Sequence, residues 1–240
     1  MKLKEAYETN TQYFLKSEIY ETLQPFTIKK IRDGPRVHKY STKARYEGMW
    51  LGGFRDGKGT MTWRDGASYY GEWSLGYAHG HGKFIDKLGN IYEGPFKMSM
   101  AHGENGVFTN TLGEIYVGSW RFDKKDGFGK EIWPKDNSEY EGQYVNGERS
   151  GMGTFTKNGK VEYQGEWYRN QMHGKGTFYF TDNKIFTGHF KKGNIEGLGC
   201  MKYPDGRMYQ GEFRKGLREG FGAYQINGQT LFIGWWHENK

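Results

Sequence analysis

Residues 163–185 read YQGEWYRNQMHGKGTFYFTDNKI, and related versions of this 23-residue unit fill most of the chain. Each unit begins with an aromatic residue, here named the lead aromatic, and has Gly two residues later and a second aromatic four residues later. The lead aromatics are Tyr46, Tyr69, Tyr92, Tyr116, Tyr140, Tyr163, Phe186, Tyr209 and Phe232. Their spacing of 23 or 24 residues identifies an internal repeat, which has to be recognised before the fold is assigned.

The order of residues within a unit predicts a β-hairpin. Alternate side chains of a strand share a face, so the lead aromatic, the glycine and the second aromatic line one face of a first strand. A glycine between two rings leaves room for a ring from a neighbouring strand. The second strand, marked by its own glycines, supplies the candidates Met61, Phe84, Phe108, Phe155, Phe178, Met201 and Tyr224. Turn pairs such as Asn158-Gly159 and Asn227-Gly228 then lead to the next unit.

Eight complete units and a ninth opening strand predict a meander of about 17 strands over residues 46–240. At ~4.8 Å per strand, such a sheet would extend on the order of 80 Å. The expected fold class is therefore all-β, an elongated single-sheet meander of tandem hairpins.

The pattern Tyr-x-Gly-x-Trp followed by a Gly-x-Gly strand resembles the MORN repeat family over residues 46–240. It departs from that family at the glycine seven residues after the lead aromatic, where Ser99, Asp123 and Asn170 stand instead. The resemblance implies an elongated array that acts as a scaffold or dimerisation module. Similar arrays occur in radial-spoke and other axonemal proteins, in cell-division and cortical cytoskeleton factors, and beside lipid-kinase domains.

Residues 1–45 lack the repeat and are expected to form a separate, irregular or partly helical extension. Apolar residues over Tyr13–Leu23 predict a short helix that ends before Pro25. Basic residues are concentrated between residues 27 and 45, where one acidic residue accompanies them: Lys29, Lys30, Arg32, Arg36, Lys39, Lys43 and Arg45. Two interpretations stay open: a solvated cap over the first sheet edge, or an anchor for an acidic partner such as a tubulin surface or anionic lipid.

No catalytic, metal or cofactor site is expected, because repeats display side chains in rows and not in convergent clusters. His79, His102 and His173 share one repeat position, but successive members would lie ~9–10 Å apart, too far to share a zinc ion. Cys200 is interpreted as a packed residue. Nucleic-acid binding is not expected, since the aromatic rows are needed to pack against each other and the repeat region is nearly neutral.

Composition excludes several other classes of protein. Mean hydropathy is −0.92, so no apolar run of the ~18 residues needed for a membrane span is present, and the first residues do not resemble a signal peptide. One cysteine among 240 residues favours a reducing compartment.

The leading functional hypothesis is a non-catalytic scaffold that binds other proteins of a cytoskeletal assembly, with a ciliary axonemal complex preferred. Contact as a homodimer or heterodimer through the sheet is part of this hypothesis, and cytoplasm, cytoskeleton and axoneme are the expected locations. The candidate partner-binding residues are Trp63, Trp133, Tyr179, Tyr203, Trp235 and Trp236. The alternative is a peripheral membrane module that binds anionic phospholipids through residues 27–45. A regulatory part of an enzyme is a third class, but no residues remain for a catalytic domain.

Overall fold

The computed structural model of the chain describes residues 33–240, so the predicted helix over Tyr13–Leu23 lies outside the described residues. The chain divides into two compact units, one up to Glu131 and one from Ile132. The strands of the first unit are β1 Gly34–Lys39, β2 Arg45–Leu51, β3 Phe54–Thr62, β4 Ser68–Ser74, β5 Tyr77–Ile85, β6 Ile91–Lys97, β7 Met100–Ala101, β8 Gly103–Thr109, β9 Ile115–Arg121 and β10 Lys124–Trp133, whose last two residues fall in the second unit. The second unit adds a short 3-10 turn, Pro134–Asp136, and then β11 Ser138–Val145, β12 Glu148–Lys157, β13 Lys160–Tyr168, β14 Gln171–Tyr179, β15 Ile185–Lys191, β16 Asn194–Lys202, β17 Arg207–Arg214, β18 Leu217–Ile226 and β19 Gln229–Trp236.

In each unit, consecutive strands pair antiparallel, which confirms the predicted all-β meander of tandem hairpins. In the first unit the pairing runs from β1 to β6, after which β6 pairs with both β7 and β8. The inserted Asn105 lies at this split strand, where its φ is 58° and the register shifts between Gly103 and Gly106. In the second unit each strand from β11 to β19 pairs with the next.

The two strands of each hairpin are joined by a two-residue turn in which both residues have positive φ. Leu75 and Gly76 have φ values of 49° and 86°, and Phe122 and Asp123 have 47° and 64°. This is the type I′ turn, whose twist matches that of the flanking strands. The predicted turns Asn158-Gly159 and Asn227-Gly228 also have two positive φ values.

These tight turns dock on the preceding hairpin, which explains the three departures from glycine. At the second turn residue, Ser99, Asp123 and Asn170 each accept a hydrogen bond through a side-chain oxygen from a backbone N–H of the previous repeat, at 3.1, 2.8 and 2.9 Å. Where the second turn residue is glycine, the turn contributes only backbone atoms to this docking. The Gly193 N–H, for example, donates to the Met172 carbonyl at 2.9 Å. The polar residues therefore keep the turn geometry and add a bond between repeats.

The core consists of lead aromatics that lie over pairs of glycines. A Cβ atom on Gly176 would stand 2.6 Å from Cε2 and 2.7 Å from Cζ of Tyr163, so this ring covers its own strand glycine, Gly165, and the glycine opposite it. The Tyr163 hydroxyl then donates to the Glu166 carbonyl at 2.8 Å. The expectation that a ring from the neighbouring strand fills this space is wrong, because the lead aromatic of the same strand occupies it.

Facing glycines continue from strand to strand within each unit, and we call this line the glycine row. In the second unit it consists of Gly142, Gly153, Gly165, Gly176, Gly188, Gly199, Gly211, Gly222 and Gly234. Rings stack edge-on above it. Tyr163, for example, contacts Trp167 of its own repeat at 5.2 Å and Phe190 of the next repeat at 5.1 Å between ring centroids. Each repeat is thereby tied to the next.

Residues 33–45 form the second half of an earlier repeat that the sequence pattern does not reveal. Strand β1 pairs with β2 as β3 pairs with β4, with His38 opposite Tyr46 and Arg36 opposite Gly48. The loop from Tyr40 to Ala44 is closed by a 2.9 Å backbone bond that matches the bond between Trp63 and Ala67. The described part of the extension is therefore a strand of the sheet and not irregular, because backbone pairing tolerates side chains that the repeat pattern lacks.

Candidate interaction surfaces

The core face of the sheet is closed by its own side chains. Burial raises the pKa of the Tyr46, Tyr69 and Tyr163 hydroxyls well above the ordinary value, because desolvation disfavours the phenolate. These hydroxyls each donate to the backbone carbonyl three residues on. They are structural groups that hold the rings over the glycine row.

Basic side chains also pack against the rings of this core, Arg55 as a buried residue and Arg149 and Arg218 as half-buried ones. Nine residues after a lead aromatic, Arg55, Arg149 and Arg218 place their guanidinium carbons 4.4, 4.7 and 4.2 Å from the ring centroid of the next repeat's Trp. Lys125 takes the same position in its repeat, where its Nζ lies 2.6 Å from Oε1 of Glu131. Lys125 and Glu131 are 4% and 6% exposed, so the ion pair lies inside the core.

The three histidines of one repeat position are not brought together. His79 is exposed, His102 packs against Phe122 at 4.7 Å between ring centroids, and His173 packs against Tyr168 at 5.6 Å. Among residues 33–240, no group of three or more His, Cys, Asp and Glu side chains is placed to hold a metal ion. Cys200 is half-buried on β16, and burial raises the pKa of its thiol.

The opposite side of the sheet, here named the outer face, carries the side chains that alternate with the core residues. In the second unit a groove of about 580 Å³ follows the glycine row on this face, with Lys175, His189, Leu198 and Gln210 along it. Large apolar side chains stand exposed along the outer face of both units: Tyr70, Phe128, Met152, Leu198, Phe221, Ile233 and Trp235. The outer face is therefore the surface that remains open for contact.

The six predicted partner-binding residues occupy different environments. Trp63 is 8% exposed and packs against Phe84, so it lies in the core and not on the surface that a partner-binding residue requires. Trp133, Tyr203 and Trp236 are half-buried, while Tyr179 and Trp235 are exposed. The repeat pattern does not show this burial, because Trp63 lies in the loop after β3 and its packing partner, Phe84, belongs to the next repeat.

The basic segment is described only from residue 33 onwards, so Lys29, Lys30 and Arg32 lie outside the described residues. The remaining basic residues, Arg36, Lys39, Lys43 and Arg45, are all exposed around β1 and the loop after it. Arg45 contacts the Glu47 carboxylate at 2.6 Å. Within the part of the chain that is described, no helix has the length and apolar character needed to cross a membrane.

The outer face of β19 is apolar and combines Trp235, a predicted partner-binding residue, with Ile233, which was not among the candidates. Ile233 and Trp235 are 60% and 78% exposed, and Trp235 stacks on Phe221 of β18 at 5.8 Å between ring centroids. The other first strands of residues 45–212 have at least one polar residue or proline at the two corresponding positions. The signal for Ile233 is the unbroken apolar run Leu231–Ile233 before Gly234, which lies outside the alternate positions that define the repeat.

Comparison with solved structures gives distant likenesses. The SAS-4 (dCPAP) TCP domain of Drosophila melanogaster, in complex with a proline-rich motif of Ana2 (dSTIL), has 16% identity and a TM-score of 0.41, over 74% of this chain and 88% of that chain. The wild-type TCP10 domain of Danio rerio CPAP has 10% identity and a TM-score of 0.42, over 84% of this chain and all of that chain. No curated protein matches the chain.

The hairpins, the glycine row and the ring stack define a β-hairpin repeat protein. The MORN repeat model matches residues 46–68, 69–87, 116–138, 140–160, 163–185, 186–206 and 209–229. The chain belongs to the MORN repeat family, as its sequence resemblance implied. The repeat that begins at Tyr92, which contains the inserted Asn105, is not among the matched ranges.

Proposed function

We propose that this chain is a non-catalytic scaffold that binds other proteins through its outer face within a cytoskeletal assembly. The observation that carries the proposal is the difference between the two faces. Lead aromatics on the core face, up to Tyr209, are at most 1% exposed, whereas outer-face Met152, Leu198 and Phe221 are 57%, 61% and 50% exposed. Exposed apolar side chains in a repeated arrangement are typical of protein-interaction surfaces.

The arrangement of chemistry also favours binding over catalysis. Ionisable groups of the described core are engaged in packing, as Arg149 is over Trp167 and Lys125 is with Glu131. An active site instead needs a nucleophile, a base and a stabilising group held within hydrogen-bond reach of one another in a pocket. MORN repeats as a class suggest a protein-interaction or membrane-binding role. The cytoskeletal setting, and the ciliary axoneme within it, is proposed from the family resemblance.

The experiment is a detergent extraction of the source cells with a tagged copy of the chain. We expect the wild-type chain to stay in the detergent-resistant pellet and to be released by high salt. The double variant M152E/L198E should be released from the pellet by detergent alone, because two charges would interrupt the apolar outer face. The control K157E/K160E adds two negative charges at exposed positions of β12 and β13 that lie outside the groove, removes no apolar side chain, and should remain in the pellet. Release of the wild-type chain by detergent alone would overturn the proposal.

A second candidate function is weak binding of anionic lipid by the basic residues around β1. It is favoured by the exposure of Arg36, Lys39 and Lys43, each of which would contribute ~1 kcal/mol near an anionic surface. The test is co-sedimentation of the chain with vesicles that contain phosphatidylserine, at low and high salt. Binding that disappears in K39E/K43E supports this function, and binding that is unchanged in this variant refutes it.

A further inference from the structure

Three consecutive hairpin turns of the second unit carry a row of basic side chains. The turns join β13 to β14, β15 to β16 and β17 to β18, and they lie at one edge of the sheet because the strands form a meander. Successive turns are two strands apart, or ~9.6 Å, so the row is ~19 Å long. None of residues 168–171, 191–194 and 214–217 is acidic. We call the exposed cations of these turns the basic turn row: Arg169, Lys191, Lys192, Arg214 and Lys215.

The geometry of the turns does not explain these cations. Arg169, Lys192 and Lys215 occupy the first turn position, where their φ values are 49°, 51° and 51°. This region of φ favours Gly and Asn and has a backbone cost for other residues. The remaining repeats carry Gly52, Leu75, Met98, Phe122, Asn146 and Glu238 at the same position. The position therefore accepts many residue types, and the turn alone does not account for a run of three cations.

The described part of the chain does not pair these cations. None of the five forms an ion pair with a carboxylate of residues 33–240. Glu196 binds the backbone of the row, since its Oε2 accepts a hydrogen bond from the Lys215 N–H at 3.0 Å. Glu219 interacts with Arg214 at longer range, but its Oε2 accepts from the Glu238 N–H at 3.1 Å. The row is thus left as a line of positive charge.

The backbone of the row is held in place by bonds between repeats. At the second turn position, Asn170, Gly193 and Gly216 each donate their N–H to a carbonyl of the preceding repeat, at 3.0, 2.9 and 3.0 Å. The turns are therefore arranged before a partner arrives. Such preorganisation reduces the entropy that is lost on binding.

The shape of the row favours a narrow acidic chain over a flat anionic surface. Glu166 and Glu212 are exposed two residues before Tyr168 and Arg214. Side chains two residues apart on a strand share a face, so these carboxylates border the row on the outer face. A membrane would bring its anionic headgroups against them, whereas an extended acidic segment follows the cations alone. About seven extended residues span the ~19 Å of the row.

We propose that the basic turn row binds an extended acidic segment of a partner protein, about seven residues long, whose carboxylates contact the cations of the three turns. The segment crosses the hairpins at the turn edge, a surface different from the outer-face residues Met152 and Leu198. Complementary charge fixes the position of a partner and speeds its association more than it adds affinity. Binding by exposed cations is therefore weak and dependent on salt.

The experiment crosslinks the full chain to an acidic peptide that contains seven consecutive glutamates. A carbodiimide joins a peptide carboxylate to a lysine amine as an amide and takes up the water that is released, and mass spectrometry identifies the lysines. We expect products at Lys191, Lys192 and Lys215. Their yield should fall at least ~5-fold when four of the glutamates are replaced by glutamine, and also in 1 M salt, where the Debye length is ~3 Å.

A variant of the chain tests the row itself. K192N/K215N removes two cations and keeps the turns, because Asn is favoured at positive φ. Lys191 remains as the reporter, and the yield of its product should fall at least ~3-fold. The matched control, K157Q/K160Q, removes the same charge from exposed lysines at the opposite edge of the same unit and should leave the yield at Lys191 unchanged.

Products confined to Lys39 and Lys43 around β1, or equal yields at Lys191 in the two variants, would overturn the inference. Vesicles with phosphatidylserine and a single-stranded oligonucleotide are added as competitors to K39E/K43E, which has less basic charge around β1. Loss of the Lys191 product with either competitor, at the same concentration of negative charge as the peptide, would assign the row to a membrane or a nucleic acid and overturn the inference. The pellet experiment with M152E/L198E does not involve these cations, so failure of this inference is distinguishable from failure of the scaffold role.

Discussion

The buried ion pair between Lys125 and Glu131 gives the sharpest test of how the repeats are packed. The repeat that begins at Tyr163 has Met172 and Phe178 at the two corresponding positions, so an apolar version of the same pair already exists in the chain. In K125M, Glu131 would keep its buried position and lose an ammonium group that now lies 2.6 Å away. Removing one partner of a buried pair typically costs about 3–5 kcal/mol.

The double variant K125M/E131F should recover most of this loss. Replacing both charges by apolar side chains of similar size is typically neutral or stabilising by about 1–4 kcal/mol. We therefore expect K125M to lower the free energy of unfolding by about 3 kcal/mol and K125M/E131F to come within about 1 kcal/mol of the wild-type chain or above it.

The assay is urea unfolding of the purified chain, monitored by tryptophan fluorescence and by circular dichroism. Two probes are used so that separate unfolding of one of the two compact units would be detected. The variant K124M is the matched control, because the neighbouring lysine is exposed. A cost below about 1 kcal/mol for K125M, or a double variant no more stable than the single one, would show that Lys125 does not stabilise a buried Glu131 charge.

Three further predictions concern the ring stack. G176A should lower the free energy of unfolding by about 1–3 kcal/mol, because the added Cβ meets the Tyr163 ring. G193N should change the free energy of unfolding by less than about 0.5 kcal/mol, because Gly193 has open space around it and Asn occupies the same turn position in another repeat. Urea unfolding of both variants checks this difference. W167F should cost about 1–2 kcal/mol because it removes the 3.1 Å bond from the indole N–H to the Gly153 carbonyl, and a double-mutant cycle with R149M should show coupling. The buried tyrosines should also make stability depend on pH. Their pKa is higher in the folded chain than the value of about 10 in the unfolded chain, so their contribution to stability is complete below pH ~10 and is lost as the pH rises further. Ultraviolet titration should therefore show tyrosines that ionise only when the chain unfolds, and complete ionisation of a folded chain near pH 10 would contradict this.

The strands and tight turns could be predicted from sequence because the repeat presents the same pattern again and again. The sequence could not show which ring lies over each strand glycine. A glycine between two rings is compatible with a ring from either strand, and only the backbone geometry places Tyr163 over Gly165 and Gly176. The half-repeat at β1 was hidden for a related reason, since Arg36 and His38 replace the residues that define the pattern while the backbone pairing is retained.

The interaction surface was harder to predict than the fold. Aromatic residues outside the repeat positions, such as Trp63, were expected on the surface, yet Trp63 is buried and packs against Phe84 of the next repeat. The exposed apolar residues Leu198 and Phe221 share one repeat position with Phe128 and Met152. Other repeats carry Lys58, His81 or Lys175 at this position, so the sequence pattern does not mark it as apolar. A repeat specifies its own core, and it leaves the opposite face free to differ.

Binding of proteins by the outer face can be tested by placing a photo-crosslinking amino acid at single positions of the tagged chain in its source cells. Position 198 lies on the outer face in the second unit, and exposed position 160 lies at the start of β13 and serves as the control. We expect position 198 to crosslink a small set of cytoskeletal proteins and position 160 to give none of these products. Crosslinks only to lipid, or the same products from both positions, would contradict the claim that the outer face binds proteins.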